Sequence, residues 1–327
     1  MRMNNLTYKD LDEAIDLIRR SNRIYIASHI NPDGDNLGSS LALALALRQL
    51  GKEVLVLNPG SIPSDFVFLP GIDLIKDFED DVDELDLFIV VDSSDIDRLG
   101  PNKDLLDRSK AIINIDHHIT NTQFGNINLV DSKAAATGEL IYQLLKRMDV
   151  KLDKDIATNI YTAISTDTGK FSYESVTSRT HRIAAELLDV GIDLKDINIK
   201  IYESYSLEST KLFIKALNTL KLYSDNRVAL VKVSQRMLKE TNASLDDTDG
   251  ISSFIRGIGP VEVSCLLQEV EEGEIKGSLR SKNYVDVSKV CAKFNGGGHV
   301  RAAGCTIFED LDTAEAMIIE EINRHLR

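Results

Sequence analysis

Apolar positions recur along the chain in two alternating rhythms. Leu11, Ala14, Ile15 and Ile18 fall at spacings of three, four and seven behind Thr7, which is placed to cap them, so one face of a first helix is apolar. Short β-prone runs follow at 24–27, 54–57, 87–91 and 112–115, separated by helix-length segments or loops, and 41–47 is a Leu/Ala stretch without Gly or Pro. Strands alternating with helices predict an α/β fold with a mostly parallel sheet covered on both faces. Helices are predicted over 134–148, 155–164, 178–188 and 208–222, the last as part of a linker. A second pattern opens at Asn226, with strands at 228–233, 261–270 and 275–280, a helix near Ser252, and a helix on which Val287, Val290, Cys291 and Phe294 share a face. A Gly-rich turn, a strand at 305–308 and a helix capped by Asp312 complete it. The expected division is a domain over 1–190, a helical linker over 191–225 and a smaller α/β domain over 226–327.

Composition narrows the class. At 327 residues, 43% hydrophobic and 28% charged, the chain has enough material for two cores and none of the bias of a disordered or fibrous protein. No apolar run is long enough to span a bilayer and the first residues resemble no signal peptide, so a soluble cytoplasmic protein is expected, with no membrane partner. Cys265, Cys291 and Cys305 are odd in number and lack C-x-x-C spacing, which points to buried thiols in a reducing compartment. The net charge of −14 argues against wrapping long nucleic acid but leaves short anionic substrates open. From Asn226 onward there are 13 Lys and Arg against 16 Asp and Glu, a balance of −3, so −11 falls in the first 225 residues.

Ligands in parallel sheets gather at the carboxyl ends of strands. His29 follows the first run, within HINPDGDNLGSS; Asp92 follows the third; Asp116, His117 and His118 follow the fourth; Asp167 stands where STDTG ends a helix. In the first motif, Asp33 and Asp35 in an extended loop would crowd their charges unless a cation sat between them, with Gly34 letting the backbone bend. A His/carboxylate set suits manganese, zinc or iron better than calcium. The same stretch reads equally well as a solvated turn or a helix cap by Asn36 or Ser39. An EF-hand fails at Leu37 and Ala44, and a P-loop fails on glycine spacing. Each ligand alone has an ordinary explanation; four segments ending together at strand or helix ends favour one metal site. Adjacent histidines just past a strand can part, one toward metal and one toward substrate. Farther on, Gly296, Gly297 and Gly298 before His299 could offer backbone N–H groups to a phosphate or simply turn, and Arg280 and Arg301 could grip phosphate or face solvent.

With these motifs the sequence resembles the DHH phosphoesterase family, whose name spells Asp116-His117-His118. The likeness covers nearly the whole chain through HINPDGDNLGSS, VVDSSD, NIDHH and STDTGKF, while GGGHVRAAG resembles the family's associated substrate-binding DHHA1 domain. Size and the run from SFIRGIGPVEVS to GSLRS most resemble the bacterial nano-RNase and pAp phosphatase branch.

The resemblance implies His29, Asp33 and Asp92 on one metal and Asp35, Asp92, His117 and Asp167 on the other, with Asp92 bridging. His118 would touch the phosphate and Asp116 would orient a histidine. It implies two divalent cations, manganese first and magnesium as the alternative, and raises Arg256, Arg280, His299, Arg301 and the three glycines to ligands of a short nucleotide. Six ligands, four of them carboxylates, agree with two cations roughly 3.5–4 Å apart, able to activate a water for in-line attack on phosphorus. Ser39 and Ser40 read as helix-start hydroxyls, not nucleophiles, and His181 and His325 as surface residues. The expected activity is hydrolysis of short oligoribonucleotides to mononucleotides, with removal of the 3′-phosphate of 3′-phosphoadenosine 5′-phosphate (pAp) beside it. The rivals are a phosphodiesterase for linear or cyclic dinucleotides and a non-catalytic nucleotide sensor. For assembly, only the general frequency of symmetric dimers speaks, and it suggests a homodimer.

Overall fold

The computed structural model describes residues 8–27, 29–76 and 85–326. The chain divides into two units, Met1–Ser204 and Tyr205–Arg327. Thr7, the expected first cap, lies outside the described residues.

In the first unit α1 (Tyr8–Arg20) leads into β1 (Arg23–Ala27), α2 (Gly34–Gln49), β2 (Glu53–Leu57), a two-residue β3 (Ile75–Lys76), β4 (Leu87–Val91), β5 (Ile112–Asp116) and β6 (Ile127–Val130). Four helices follow: α3 (Thr137–Arg147), α4 (Lys154–Asp167), α5 (Ser178–Asp189) and α6 (Leu194–Tyr202). The strands form one sheet in the order β3-β2-β1-β4-β5-β6, and every pairing is parallel. Ile24, Ile26, Ile89 and Val91 enter one apolar core and Tyr25, Ala27, Phe88 and Val90 another. Burial on both faces is why these strands read as unbroken apolar runs. Chain direction around the sheet switches between β1 and β4, the place where a crevice opens at the carboxyl ends of parallel strands.

The start of α2 departs from the expected extended loop. Asp33 itself is the helix cap, its Oδ1 accepting the Asn36 N–H at 3.0 Å, so Gly34 and Asp35 already lie in the first turn. Neither Asn36 nor Ser39 caps: Asn36 Nδ2 donates to Val91 O at 2.9 Å, and Ser39 Oγ to Asp35 Oδ1 at 2.9 Å. Gly34 is needed for close approach instead of bending, since a Cβ there would stand 2.5 Å from Thr166 Oγ1. Gly38 does the same along the helix, where a Cβ would meet Asn159 O at 2.5 Å. The two glycines let α2 lie directly on α4, whose last residue is Asp167.

The second unit holds α7 (Leu207–Leu217), β7 (Lys221–Tyr223), β8 (Val228–Val233), α8 (Gln235–Thr241), α9 (Ile251–Arg256), β9 (Val263–Glu271), β10 (Glu274–Ser281), α10 (Val287–Ala292), β11 (Gly297–His299), β12 (Ala302–Ile307) and α11 (Leu311–His325). Its sheet runs β11-β12-β10-β9-β8-β7. Val263, Cys265, Ile275 and Leu279 point toward α10 and α11; Ala229, Val231 and Leu266 point toward α7, α8 and α9. All three cysteines are buried free thiols.

Three readings of this half change. Residues 208–222 are not one helix: α7 ends at Leu217 and β7 follows, with Leu212 and Ala216 buried in the second unit's core, while α6 belongs to the first unit. The Gly-rich turn contains the strand β11, which has no side-chain alternation to announce it. The last helix is capped by Asp310, which accepts the N–H groups of Asp312 and Thr313, each at 2.9 Å.

Candidate metal centre

Each element that reaches the β1/β4 switch delivers one or two side chains to a single cluster. His29 follows β1, Asp33 and Asp35 open α2, Asp92 follows β4, His117 and His118 follow β5, and Asp167 ends α4. His117 Nε2 lies 3.4 Å from Asp167 Oδ2 and 3.8 Å from both Asp35 Oδ2 and Asp92 Oδ1. His29 Nε2 lies 3.6 Å from Asp92 Oδ2. Three triads bring their ligand atoms within 4.8 Å of one another: His29, Asp33 and Asp92; Asp35, His117 and Asp167; and Asp92, His117 and His118.

Asp92 is held in an unusual backbone conformation, φ +56°, a left-handed region that costs a non-glycine residue about 1–2 kcal/mol. Its N–H still pairs with Ile115 O at 2.9 Å, so the chain turns sharply at the end of β4 and directs the carboxylate inward. Backbone strain of this kind collects where a side chain must be aimed.

The imidazoles are set for coordination. His29 Nδ1 faces Ile30 O at 2.7 Å and His117 Nδ1 faces Ala134 O at 3.3 Å. Each carbonyl is an acceptor, so Nδ1 carries the hydrogen and Nε2 turns to the carboxylates. His29 Nε2 is buried and has no hydrogen-bond partner among the described residues. A ligating nitrogen left bare beside Asp33 and Asp92 is what a divalent cation would satisfy, and the cluster fits such an ion.

The electrostatics agree. Burial pushes the Asp35 carboxyl well above the usual range, and the charges of Asp92, Asp167 and Asp33 push it further. Burial, then Asp92, raises Asp33; burial likewise brings Asp167 up to about 6. Burial also works against the Asp92 anion, but the nearby His29, His117 and His118 together overcome it and hold its carboxyl low. The cluster is therefore more negative than it can comfortably be without added positive charge.

His117 and His118 lie side by side. Both converge on Asp92, and their rings meet edge to face with centroids 4.7 Å apart. What separates them is the second nitrogen: His118 Nδ1 is bonded to Asp116 Oδ1 at 2.7 Å, leaving Nε2 to face outward. Burial disfavours the charged ring, but Asp116 and Asp92 outweigh it and lift His118 to about 9. Asp116 is in turn held by Asn121, whose Nδ2 donates to Asp116 Oδ2 at 2.6 Å. A polar pocket of about 600 Å³ lined by His118, Asn121, Gln123 and Asn128 opens beside this ring.

Sequence reasoning missed Thr137. Its N–H donates to Asp35 Oδ2 at 2.6 Å, its hydroxyl to Asp92 Oδ1 at 2.8 Å, and the Gly138 N–H to Asp35 Oδ1 at 2.9 Å. The positive end of α3 thus faces the carboxylates. A Thr-Gly pair at the start of a helix that lacks a capping side chain on Ala136 was the available signal.

In the second unit, strand register sets His299, Ala302, Arg280 and Ser264 in one cross-strand row on the face away from α10 and α11. Ser264 Oγ is buried without a partner among the described residues. Arg256 ends α9 on the same side of the sheet. Arg301 braces the loop after β10, its guanidinium donating to Val285 O at 3.0 Å and to Asn283 O. The Gly296 N–H pairs with Cys291 O at 2.9 Å, and a Cβ on Gly298 would press Ala302 O at 2.6 Å, so close packing requires glycine at Gly298. Gly297 alone faces open space.

Among the described residues no helix is long and apolar enough to cross a membrane. The DHH family, N-terminal domain, matches residues 23–164 and the DHHA1 domain matches residues 225–324. The chain is 34% identical to the bifunctional oligoribonuclease and PAP phosphatase NrnA of Thermus thermophilus over 93% of this chain and 90% of that protein. It is 27% identical to the protein of the same name from Bacillus subtilis over 90% and 93%. A crystal structure of an exopolyphosphatase-related protein from Bacteroides fragilis superposes with a TM-score of 0.92 at 30% identity, covering 99% of this chain and 98% of that one. The chain belongs to the DHH/DHHA1 phosphoesterase family.

Proposed function

We propose that this protein hydrolyses short oligoribonucleotides to mononucleotides and removes the 3′-phosphate of pAp, with two divalent cations, manganese in the first place and magnesium as the alternative. The observation that carries the reading is the convergence of His29, Asp33, Asp35, Asp92, His117 and Asp167, with His29 Nε2 buried and unpartnered among them. The names of the Thermus thermophilus and Bacillus subtilis relatives, matched over nine-tenths of the chain, supply the substrate class.

In this proposal His29, Asp33 and Asp92 hold one cation and Asp35, Asp92, His117 and Asp167 the other. Bound there, the ions supply a water activated at neutral pH and positive charge for the phosphoryl oxygens. Asp116 orients His118, whose outward Nε2 donates to the phosphoryl group where negative charge develops. In the second unit, Arg280 and His299, with Arg256 and the open backbone at Gly297, bind the nucleotide's remaining phosphate or base. Arg301 acts by fixing the loop behind Arg280.

Turnover of a panel tests the reading: pAp, pGpG, cyclic dinucleotides and RNA of increasing length, each with manganese and with magnesium. Preferential release of mononucleotides from the shortest RNAs and of AMP from pAp is expected. Turnover confined to pGpG or cyclic dinucleotides would make it a signalling phosphodiesterase, and tight nucleotide binding without any product would make it a sensor.

A further inference from the structure

Five carboxylates surround the centre, yet one arginine beside them pairs with none. Arg98 lies on the 3₁₀ stretch Ile96–Leu105 that follows β4, part-buried, and among the described residues its guanidinium makes no hydrogen bond or ion pair. Its main chain, by contrast, is fixed. The Ile30 N–H donates to Arg98 O at 2.8 Å, tying it to the residue after His29. Asp95 caps the stretch, accepting the Asp97 N–H at 2.9 Å. Two residues on, Gly100 adopts φ 56°, ψ −132°, a conformation open to glycine, and a Cβ there would strike Ile30 Cγ2 at 2.9 Å. The stretch is thus clamped against the edge of the metal cluster while its cation stays uncommitted.

That charge acts on two groups of the centre. Burial is the main influence on both Asp33 and His118, but the Arg98 charge is also felt at each, favouring the Asp33 anion and opposing protonation of His118. Arg98, whose main chain is tied beside His29, is therefore near enough to both groups for its charge to act on them. An arginine held near carboxylates but bonded to none keeps its five donors for an incoming anion, and its planar fork matches two phosphoryl oxygens at once. Were it only a filler of the surface, the nearby acidic groups would be its natural partners.

We infer that Arg98 contacts the phosphoryl group undergoing hydrolysis, pairing with its non-bridging oxygens opposite His118. This rests on the phosphoesterase reading above. No such role was visible in the sequence, where Arg98 sits six residues beyond Asp92 in an otherwise acidic run.

The test uses the full chain as wild type, Arg98→Gln and Arg98→Lys, with folding checked by thermal melting. Calorimetry measures the binding of manganese alone and of orthophosphate to the manganese-loaded protein, and kcat/KM is measured on pAp. Arg98→Gln is expected to weaken orthophosphate binding and lower kcat/KM, the latter by roughly 10²-fold, with manganese binding unchanged and part of the loss restored in Arg98→Lys. Orthophosphate affinity equal to wild type in folded Arg98→Gln overturns the inference. Loss of manganese binding in parallel also overturns it, since Arg98 would then only support the cage. If wild type turns over no substrate, the proposed function fails, while the orthophosphate arm still decides Arg98.

Discussion

Asp35 caps a helix that begins 102 residues later: its carboxylate accepts the Thr137 N–H at 2.6 Å. Ala136, at the position before α3, has no side chain to do this, and Gly138 adds a second N–H to the same carboxylate. The start of α3 and a proposed metal ligand are therefore one structure.

That sharing predicts a separation of stability from metal binding. Asp35→Asn keeps an amide oxygen for the Thr137 N–H but turns its NH2 toward the Gly138 N–H, a loss set against relief of the repulsion from Asp92, Asp167 and Asp33. The metal-free variant is expected to stay within about 1 kcal/mol of wild type. Its melting temperature should no longer rise when manganese is added. A metal-free variant several degrees less stable than wild type would contradict this account.

The pH dependence of metal binding has a defined sign. Asp167, raised to about 6, and Asp33 and Asp35, also raised, keep protons in the folded metal-free protein where the unfolded chain has lost them. More protons bound when folded means stability from these groups falls as pH rises from about 4 toward 6 and beyond. A cation replaces those protons, so the melting-temperature gain from manganese should grow between about pH 5 and pH 7.5, with proton release measurable by calorimetry in the acid half. A gain that is flat across this range would refute the shared charge burden.

Asp116 governs His118. In the metal-free protein His118 sits near 9, above its ordinary 6.5, so its contribution to stability is complete below about 6.5 and disappears as pH rises through about 9. Asp116→Asn should bring the His118 titration, followed by NMR of the imidazole protons, back toward the ordinary value while leaving the fold intact. An unchanged midpoint would show that Asp92 alone sets it.

In the second unit, buried Glu262 accepts the N–H groups of Tyr284 at 2.7 Å and of Asn283 and Val285, both at 3.0 Å, while Arg301 takes carbonyls of the same loop. Glu262→Ala strands these donors and is expected to cost about 3 kcal/mol. Amide exchange at 283–285 should accelerate more than in the α11 core. Uniform acceleration across the unit would mean that the carboxylate does not organise this loop specifically.

The parallel strands and their terminal ligands were legible because burial on both sheet faces leaves unbroken apolar runs, and His29, Asp92 and Asp116 follow or end those runs directly. Parts built from distant partners were not. Asp33 as a cap, Thr137 over Asp35, and the tie from Ile30 to the Arg98 main chain all depend on backbone geometry that local composition does not carry. β3 has two residues and β11 is mostly glycine, so neither offers a period to read. The bonds from Arg301 to two loop carbonyls likewise join residues 16 and 18 positions apart.

Asp33 Oδ1 takes its hydrogen bond from Asn36, and Asp35 secures α3, both through N–H groups of the protein itself. The scaffold around the centre is thus fastened by the chain's own donors. A cation arriving there would meet carboxylates whose directions the fold has already set, so the cage owes its shape to the polypeptide before any ion enters it.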